Sequence, residues 1–130
     1  MITPSNLTLS KDKKLLTVTF ENIDYSLSSE FLRVYSPSAE VQGHGPGQET
    51  LQLNKSNVKI EKLNPMGNYA VAIHYDDGHS TGIYSWSYLH HLSISKDKMW
   101  QDYCKRVEKN KVKRRKNCVN LFFIFFTYKF

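Results

Sequence analysis

The stretch PMGNYAVAIHYDDGHSTGIYSWSYLHHL, residues 65–92, carries the clearest secondary-structure signals in the chain. Large residues alternate with small or polar ones from Tyr69 to Tyr75, which is the period of a strand with one buried face. Asp77-Gly78 favours a tight hairpin turn, because glycine adopts positive φ without a steric penalty. The chain then returns through Thr81–Tyr84, and Ser85 can cap the helix that follows. The stretch therefore predicts strand, turn, strand and helix, in that order.

Three shorter strands are predicted on the N-terminal side. Leu7 and Leu9 alternate with polar residues, Leu15–Phe20 is rich in apolar and β-branched residues, and Ile23–Leu27 alternates again. The links between these segments are too short for crossover connections, so we expect an antiparallel meander.

The middle of the chain reads as a helix, a long irregular segment and a fourth strand. Ser28-Ser29-Glu30 can cap and start the helix, which Pro37 ends. Residues 36–57 show no regular pattern, and loops of that length in a compact domain are often functional or disordered. Residues 57–63 alternate as a strand, and residues 64–68 read as a turn.

A last helix is predicted from Ser95. Trp100, Tyr103, Cys104 and Val107 form one amphipathic stripe that we expect to dock on the sheet. A basic and then Phe-rich segment follows, so we place a single domain at residues 1–109 and a tail at 110–130. The fold class predicted is α+β, a small antiparallel sheet of meander plus hairpin packed with two to three short helices.

The formal charge of +6 is unevenly distributed. Residues 1–95 contain seven basic and nine acidic residues, whereas residues 96–130 contain eleven and three. The basic excess therefore belongs to the C-terminal quarter. The basic residues singled out there are Lys105, Arg106, Lys113, Arg114, Arg115 and Lys116.

The remaining composition favours a cytoplasmic protein. The N-terminus lacks the basic and apolar regions of a signal peptide, and the apolar run over residues 119–130 is shorter than a membrane-spanning helix. Cys104 and Cys118 are not arranged as a disulfide framework or as a zinc-binding pair. We expect two reduced thiols.

Several motifs, read in order, resemble one family. They are Leu32-Arg33 followed by Ser36-Pro37, the loop Gly43-His44-Gly45-Pro46-Gly47, Met66–Val71, Asp77-Gly78-His79, Gly82-Ile83-Tyr84 and Trp86–Leu89. This set resembles the γ-butyrobetaine-hydroxylase-like N-terminal domain family (DUF971), of the small stand-alone bacterial type, over about residues 5–107. In the hydroxylase the module precedes an iron- and 2-oxoglutarate-dependent domain. Similar modules occur attached to P-loop ATPases of iron–sulfur cluster assembly.

The resemblance also implies a structural zinc, bound by three cysteines and one histidine. The cysteine positions align with Ser36, Ser38 and about Val41, which we call the thiol positions, and only His79 matches a family ligand. One neutral imidazole cannot hold structural zinc by itself. We therefore expect no metal and no cofactor.

The residues expected to form a ligand or partner surface are Arg33, His44, Asn68, Asp77, His79, Tyr84 and Trp86. An Asp–His neighbourhood at the turn could tune the imidazole or hold a weakly bound metal, or it could simply satisfy backbone donors. If the glycine-rich loop folds back, His44 could meet Arg33 and His79 in a small anion or metal pocket. No nucleophile–base arrangement is recognisable, so we expect no enzyme activity.

Three functions remain open from sequence. The first is a non-catalytic protein-interaction or accessory module with an unidentified protein partner, in the iron–sulfur or redox metabolism that the resemblance suggests. The others use the basic tail, which could bind nucleic acid or an anionic membrane surface without crossing it.

Overall fold

The structure, a computed structural model, describes residues 2–42 and 51–114 of the 130-residue chain. Its elements in chain order are β1 (Asn6–Leu9), β2 (Leu15–Phe20), β3 (Ile23–Ser28), α1 (Ser29–Val34), α2 (Ala39–Gln42), β4 (Ile60–Met66), β5 (Ala70–Tyr75), β6 (Gly82–Ser85), α3 (Trp86–Ile94) and α4 (Lys96–Arg114). The fold is α+β, which confirms the predicted class. The chain divides after Ile94 into a unit that contains both sheets and α1–α3, and a unit that contains α4.

The first sheet is the predicted meander, in the order β1-β2-β3 with antiparallel pairing throughout. Its middle strand buries Leu16, Val18 and Phe20 on one face, because successive side chains of a strand point to opposite faces. The β2–β3 link is Glu21-Asn22, and both residues have positive φ, 50° and 66°. A two-residue link of this kind matches the twist of the strands it joins.

The second sheet has the order β4-β5-β6, and the predicted hairpin forms its β5–β6 half. Tyr75 N donates to His79 O at 2.9 Å and Gly78 N donates to Tyr75 O at 3.2 Å. These bonds close a three-residue loop over residues 76–78, with Gly78 at φ 90°. The hairpin is thus tight as expected, and glycine occupies the position that requires positive φ.

Two segments between the sheets differ from the prediction. The fourth strand spans Ile60–Met66, three residues later than predicted, because Pro65 and Met66 belong to the strand and not to the turn. Proline is tolerated here since β4 is an outer strand of its sheet. The turn is confined to residues 67–69, with Gly67 at φ 55°. The stretch predicted as irregular contains the four-residue helix α2.

The core of the first unit lies between the sheets and the short helices. Ser28 caps α1 by accepting a bond from Phe31 N at 3.0 Å. Ser85 caps α3 as predicted, accepting from Tyr88 N at 3.2 Å. The largest fully buried aliphatic and aromatic side chains are those of Tyr84, Phe20, Phe31, Leu16, Leu27, Leu32, Ile60, Ile73, Leu89 and Leu92.

In the part of the chain that the structure describes, the second unit consists of the helix α4 and the residue before it. Tyr103, Cys104 and Val107 are buried and Trp100 is half-buried, so the predicted stripe forms one side of this helix. The helix continues past residue 109 to Arg114, so the boundary proposed between domain and tail falls inside it. Arg115, Lys116 and the Phe-rich segment lie outside the described residues.

Candidate functional site

Asp77, in the β5–β6 turn, links distant parts of the first unit. Its Oδ2 accepts from Arg33 Nε at 2.9 Å and from Lys55 Nζ at 2.7 Å, and its Oδ1 accepts from His79 N at 3.1 Å. Partial burial alone would raise the pKa of Asp77, but these three donors together lower it to about 2. The carboxylate is therefore ionised throughout the physiological range.

Arg33 brings the last turn of α1 to this carboxylate. Its side chain is 8% exposed, and its guanidinium carbon lies 6.0 Å from the ring centroid of Tyr75. Only Nε faces Asp77, and Nη1 is buried without a hydrogen-bond partner. Arg33 thus has more hydrogen-bonding capacity than the carboxylate uses.

Ser36 and His79 meet next to this ion pair. Ser36 Oγ lies 2.9 Å from His79 Nε2, and both residues are buried. Ser36 Oγ also accepts from Ser38 N at 3.4 Å, while Ser38 Oγ is buried without a partner. A Cβ at Gly82 would approach Ser36 Oγ to 2.7 Å, so the absence of a side chain there leaves room for the serine.

We call Arg33, Ser36, Ser38, Lys55, Asp77 and His79 the polar cluster. Four segments contribute to it: the end of α1, the link to α2, the segment before β4 and the β5–β6 turn. Each segment is short or irregular, and side-chain contacts between them hold the cluster together.

Tyr84 was expected on the surface, and the structure corrects this because its side chain is fully buried. Its hydroxyl donates to Leu32 O at 2.5 Å and lies 2.7 Å from the hydroxyl of Tyr75. Burial raises the pKa of both tyrosines, so both remain protonated at neutral pH. Tyr84 connects α1 to β6 inside the core.

The other predicted surface residues fall into two groups. Arg33, Asp77 and His79 belong to the polar cluster, although Arg33 and His79 are buried and not surface groups. Asn68 and Trp86 lie at the opposite end of β5, where Trp86 Nε1 donates to Asn68 O at 2.8 Å. Six strand residues separate the two ends, a distance of about 20 Å. His44 lies outside the described residues.

The sequence did not predict Lys55 as part of the site. Ser36 and Ser38 were considered only as positions where the family has zinc-binding cysteines. Lys55 lies 22 residues before its partner in a stretch without regular pattern, so no local signal marked it. Tyr75 was read only as a strand residue, yet its ring lies 5.9 Å from that of His79. The alternation that predicted its burial could have suggested this contact.

The residues aligned with the family zinc ligands do not fit a zinc ion. Among the described residues, no three His, Cys, Asp or Glu side chains are grouped closely enough to share a metal. Zinc bonds of about 2.3 Å to sulfur and 2.0 Å to nitrogen at a tetrahedral angle would hold the two ligand atoms about 3.5 Å apart. Ser36 Oγ and His79 Nε2 are 2.9 Å apart and bond to each other directly.

The described part of the basic segment belongs to a helix. Lys98, Lys105 and Lys109 are exposed, and their spacing of seven and four residues puts them on one face of the helix. Arg106 Nε lies 3.4 Å from Asp102 Oδ2, one helical turn away. None of the helices in residues 2–42 and 51–114 combines the length and apolar character needed to span a bilayer.

Comparison with known proteins agrees with these observations. A search of curated proteins returned no match. One solution structure determined by NMR shares 45% sequence identity and a TM-score of 0.72, covering 82% of this chain and 85% of its own. A crystal structure of a DUF971 protein of unknown function from Acidithiobacillus ferrooxidans shares 29% identity and a TM-score of 0.59, covering 70% and 92%.

The family comparison covers the same part of the chain as the sequence motifs. Residues 7–90 match the family described as gamma-butyrobetaine hydroxylase-like, N-terminal. They include both sheets except Asn6, the polar cluster and the first half of α3. The chain therefore belongs to the gamma-butyrobetaine hydroxylase-like N-terminal domain (DUF971) family.

Proposed function

We propose that this chain is a non-catalytic protein-interaction module that serves iron–sulfur or redox metabolism. The observation that carries the proposal is that its reactive side chains hold the fold together. Asp77 is shared by Arg33 and Lys55, and the imidazole of His79 faces the hydroxyl of Ser36. Groups that are bonded to one another in this way are poorly placed to exchange protons with a substrate.

The second sheet offers an apolar docking surface. Ile83 is 46% exposed and lies opposite the small residue Ala72, and Tyr69 is 58% exposed in the adjoining turn. The Tyr69 ring lies beside Gly67, where an added Cβ would approach it to 3.0 Å. The exposed ring of Tyr69 in the β4–β5 turn and the exposed side chain of Ile83 on β6 are suitable anchors for a protein partner.

The proposed role in iron–sulfur or redox metabolism is supported by the domains to which similar modules are joined. Similar modules occur joined to a hydroxylase domain or to ATPases of iron–sulfur cluster assembly, and such fusions are consistent with a module that acts beside another protein.

The test is to crosslink the untagged protein to its partners and to compare the proteins captured by the wild type with those captured by the variant Ile83→Lys. A protein of iron–sulfur or redox metabolism should be enriched with the wild type and lost with the variant. Ile23→Lys is the matched control, since Ile23 is 53% exposed on the other sheet. Equal recovery with all three proteins, or no enrichment, would refute the proposal.

A second candidate function is binding of nucleic acid or anionic membrane through α4. The observation that favours it is the row of exposed lysines at positions 98, 105 and 109 on one helical face. A row of cations on a rigid helix attracts phosphate groups without reading base sequence.

This candidate is tested with the double variant Lys105→Glu/Lys109→Glu. Binding to single-stranded DNA or to vesicles with anionic lipid should weaken at least tenfold in the variant and fall steeply with added salt. If neither the double substitution nor added salt weakens binding, the lysines of α4 are not its origin.

A further inference from the structure

The polar cluster contains more positive than negative charge. Arg33 and Lys55 both direct their charges at one oxygen of Asp77, and the other oxygen of that carboxylate accepts from a backbone amide. Two cations and one anion leave one positive charge unpaired within this cluster, as far as residues 2–42 and 51–114 are concerned. The side chains of Lys55 and Asp77 remain 22% and 21% exposed, so this charge is reachable from solvent.

Two buried polar atoms in the cluster have no hydrogen-bond partner in the part of the chain that the structure describes. Arg33 Nη1 and Ser38 Oγ are both without hydrogen bonds, in residues that are 7% exposed. Native proteins rarely leave such atoms unsatisfied, because each costs about 1–3 kcal/mol.

The two residues that carry these atoms lie five positions apart in one turn of the backbone. Ser36 N donates to Arg33 O at 3.3 Å, and Ser38 N donates to Ser36 Oγ at 3.4 Å, so the backbone folds back between residues 33 and 38. Ser38 precedes α2 and accepts from Val41 N and Gln42 N through its carbonyl at 3.1 and 2.9 Å. Its hydroxyl is not used in this capping.

We propose that the polar cluster binds a small tetrahedral oxyanion, with inorganic phosphate as the representative ligand. Arg33 Nη1, Ser38 Oγ and Lys55 Nζ supply the donors, and the surplus positive charge balances the anion. Charge-assisted bonds of this type are stronger than neutral ones, and several donors of different geometry suit an anion with several oxygens. This binding requires no protein partner, so it is independent of the interaction proposed above.

The experiment is a phosphate titration of the full chain followed by two-dimensional NMR and by thermal unfolding. Sodium chloride at matched ionic strength is the reference for non-specific screening. We expect saturable shifts of the Ser38 and His79 amides, and a higher midpoint of unfolding in phosphate than in chloride.

The variant Ser38→Ala separates binding from folding. The hydroxyl it removes has no partner in the fold, so the variant should unfold at the same or a higher temperature without phosphate, while its phosphate affinity falls about tenfold. Lys55→Gln should weaken binding similarly.

Ser93→Ala is the control, because Ser93 is an equally buried serine whose Oγ donates to Leu89 O in its own helix at 2.7 Å. Its phosphate affinity should equal that of the wild type. A wild-type response no larger in phosphate than in chloride, or full affinity in Ser38→Ala, would overturn the proposal.

Discussion

Replacing Asp77 by asparagine removes the negative charge on which the polar cluster is built. The amide keeps a carbonyl oxygen for the His79 N–H, but Arg33 loses its ionic partner while its side chain is only 8% exposed. Removing one partner of a fully buried pair costs about 3–5 kcal/mol. Asp77 retains 21% of its side-chain exposure, so we expect a smaller loss of about 2–3 kcal/mol in the free energy of unfolding.

The same substitution has a pH signature. Folding lowers the pKa of Asp77 from 3.8 to about 2, so the stabilisation is fully present above pH 4 and is lost as the pH falls through about 2. Discounted for solvent screening, this contribution is about 1–2 kcal/mol. The difference in unfolding free energy between wild type and Asp77→Asn should therefore narrow by that amount between pH 4 and pH 2.

Urea denaturation followed by tryptophan fluorescence measures both effects. The matched control is Asp76→Asn, because Asp76 is the neighbouring carboxylate and its Oδ1 accepts a hydrogen bond from Lys59 N at 3.0 Å. That variant should lose about 1 kcal/mol or less. A cost of less than about 0.5 kcal/mol for Asp77→Asn, which is typical of exposed ion pairs, would refute the predicted contribution of this pair. A difference from wild type that stays constant from pH 6 to pH 2 would refute it as well.

Three further outcomes are expected. Changing Glu21-Asn22 to Asn-Gly should raise the unfolding free energy by about 0.5–1 kcal/mol in the same urea assay, because both positions have positive φ and Asn and Gly adopt it more readily. A lower unfolding free energy would contradict this turn geometry. Tyr84→Phe should lower the unfolding free energy by about 1–3 kcal/mol, since Leu32 O and the Tyr75 hydroxyl lose a buried hydrogen-bond partner. An unchanged urea midpoint would show that these two hydrogen bonds contribute little to stability. In a competition assay with a chromophoric chelator, the wild-type protein should bind no stoichiometric zinc. The variant with cysteines at all three thiol positions should bind one zinc ion tightly together with His79. Tight zinc binding by the wild type would contradict the expectation that hydroxyl and aliphatic side chains at these positions cannot hold the metal.

The sequence predicted those elements whose signal is local. β2 has the predicted bounds, because apolar alternation and β-branched residues occupy the same six positions. The hairpin turn and the Ser85 cap also follow from neighbouring residues. The fourth strand was misplaced because Pro65 was read as a turn residue, although an outer strand accepts proline.

The site was predictable only in part. Arg33, Asp77 and His79 were named through the family motifs, but the bond between Arg33 and Asp77 joins residues 44 positions apart. Lys55 lies in a segment without hydrophobic periodicity or a recognisable motif, so nothing in its neighbourhood predicted its contact with Asp77. Side-chain partners across such distances depend on how the two sheets and the short helices pack, which periodicity does not encode.

Pro65 has a consequence for how this protein can associate with copies of itself. It lies in β4, an outer strand, opposite Val71 of β5. Because proline has no N–H, the free side of β4 lacks one hydrogen bond that an incoming strand would need, one residue before the C-terminal end of the strand. Growth of the sheet by strand addition is thereby discouraged on this side, leaving the short β6 side as the more permissive route for edge-to-edge aggregation.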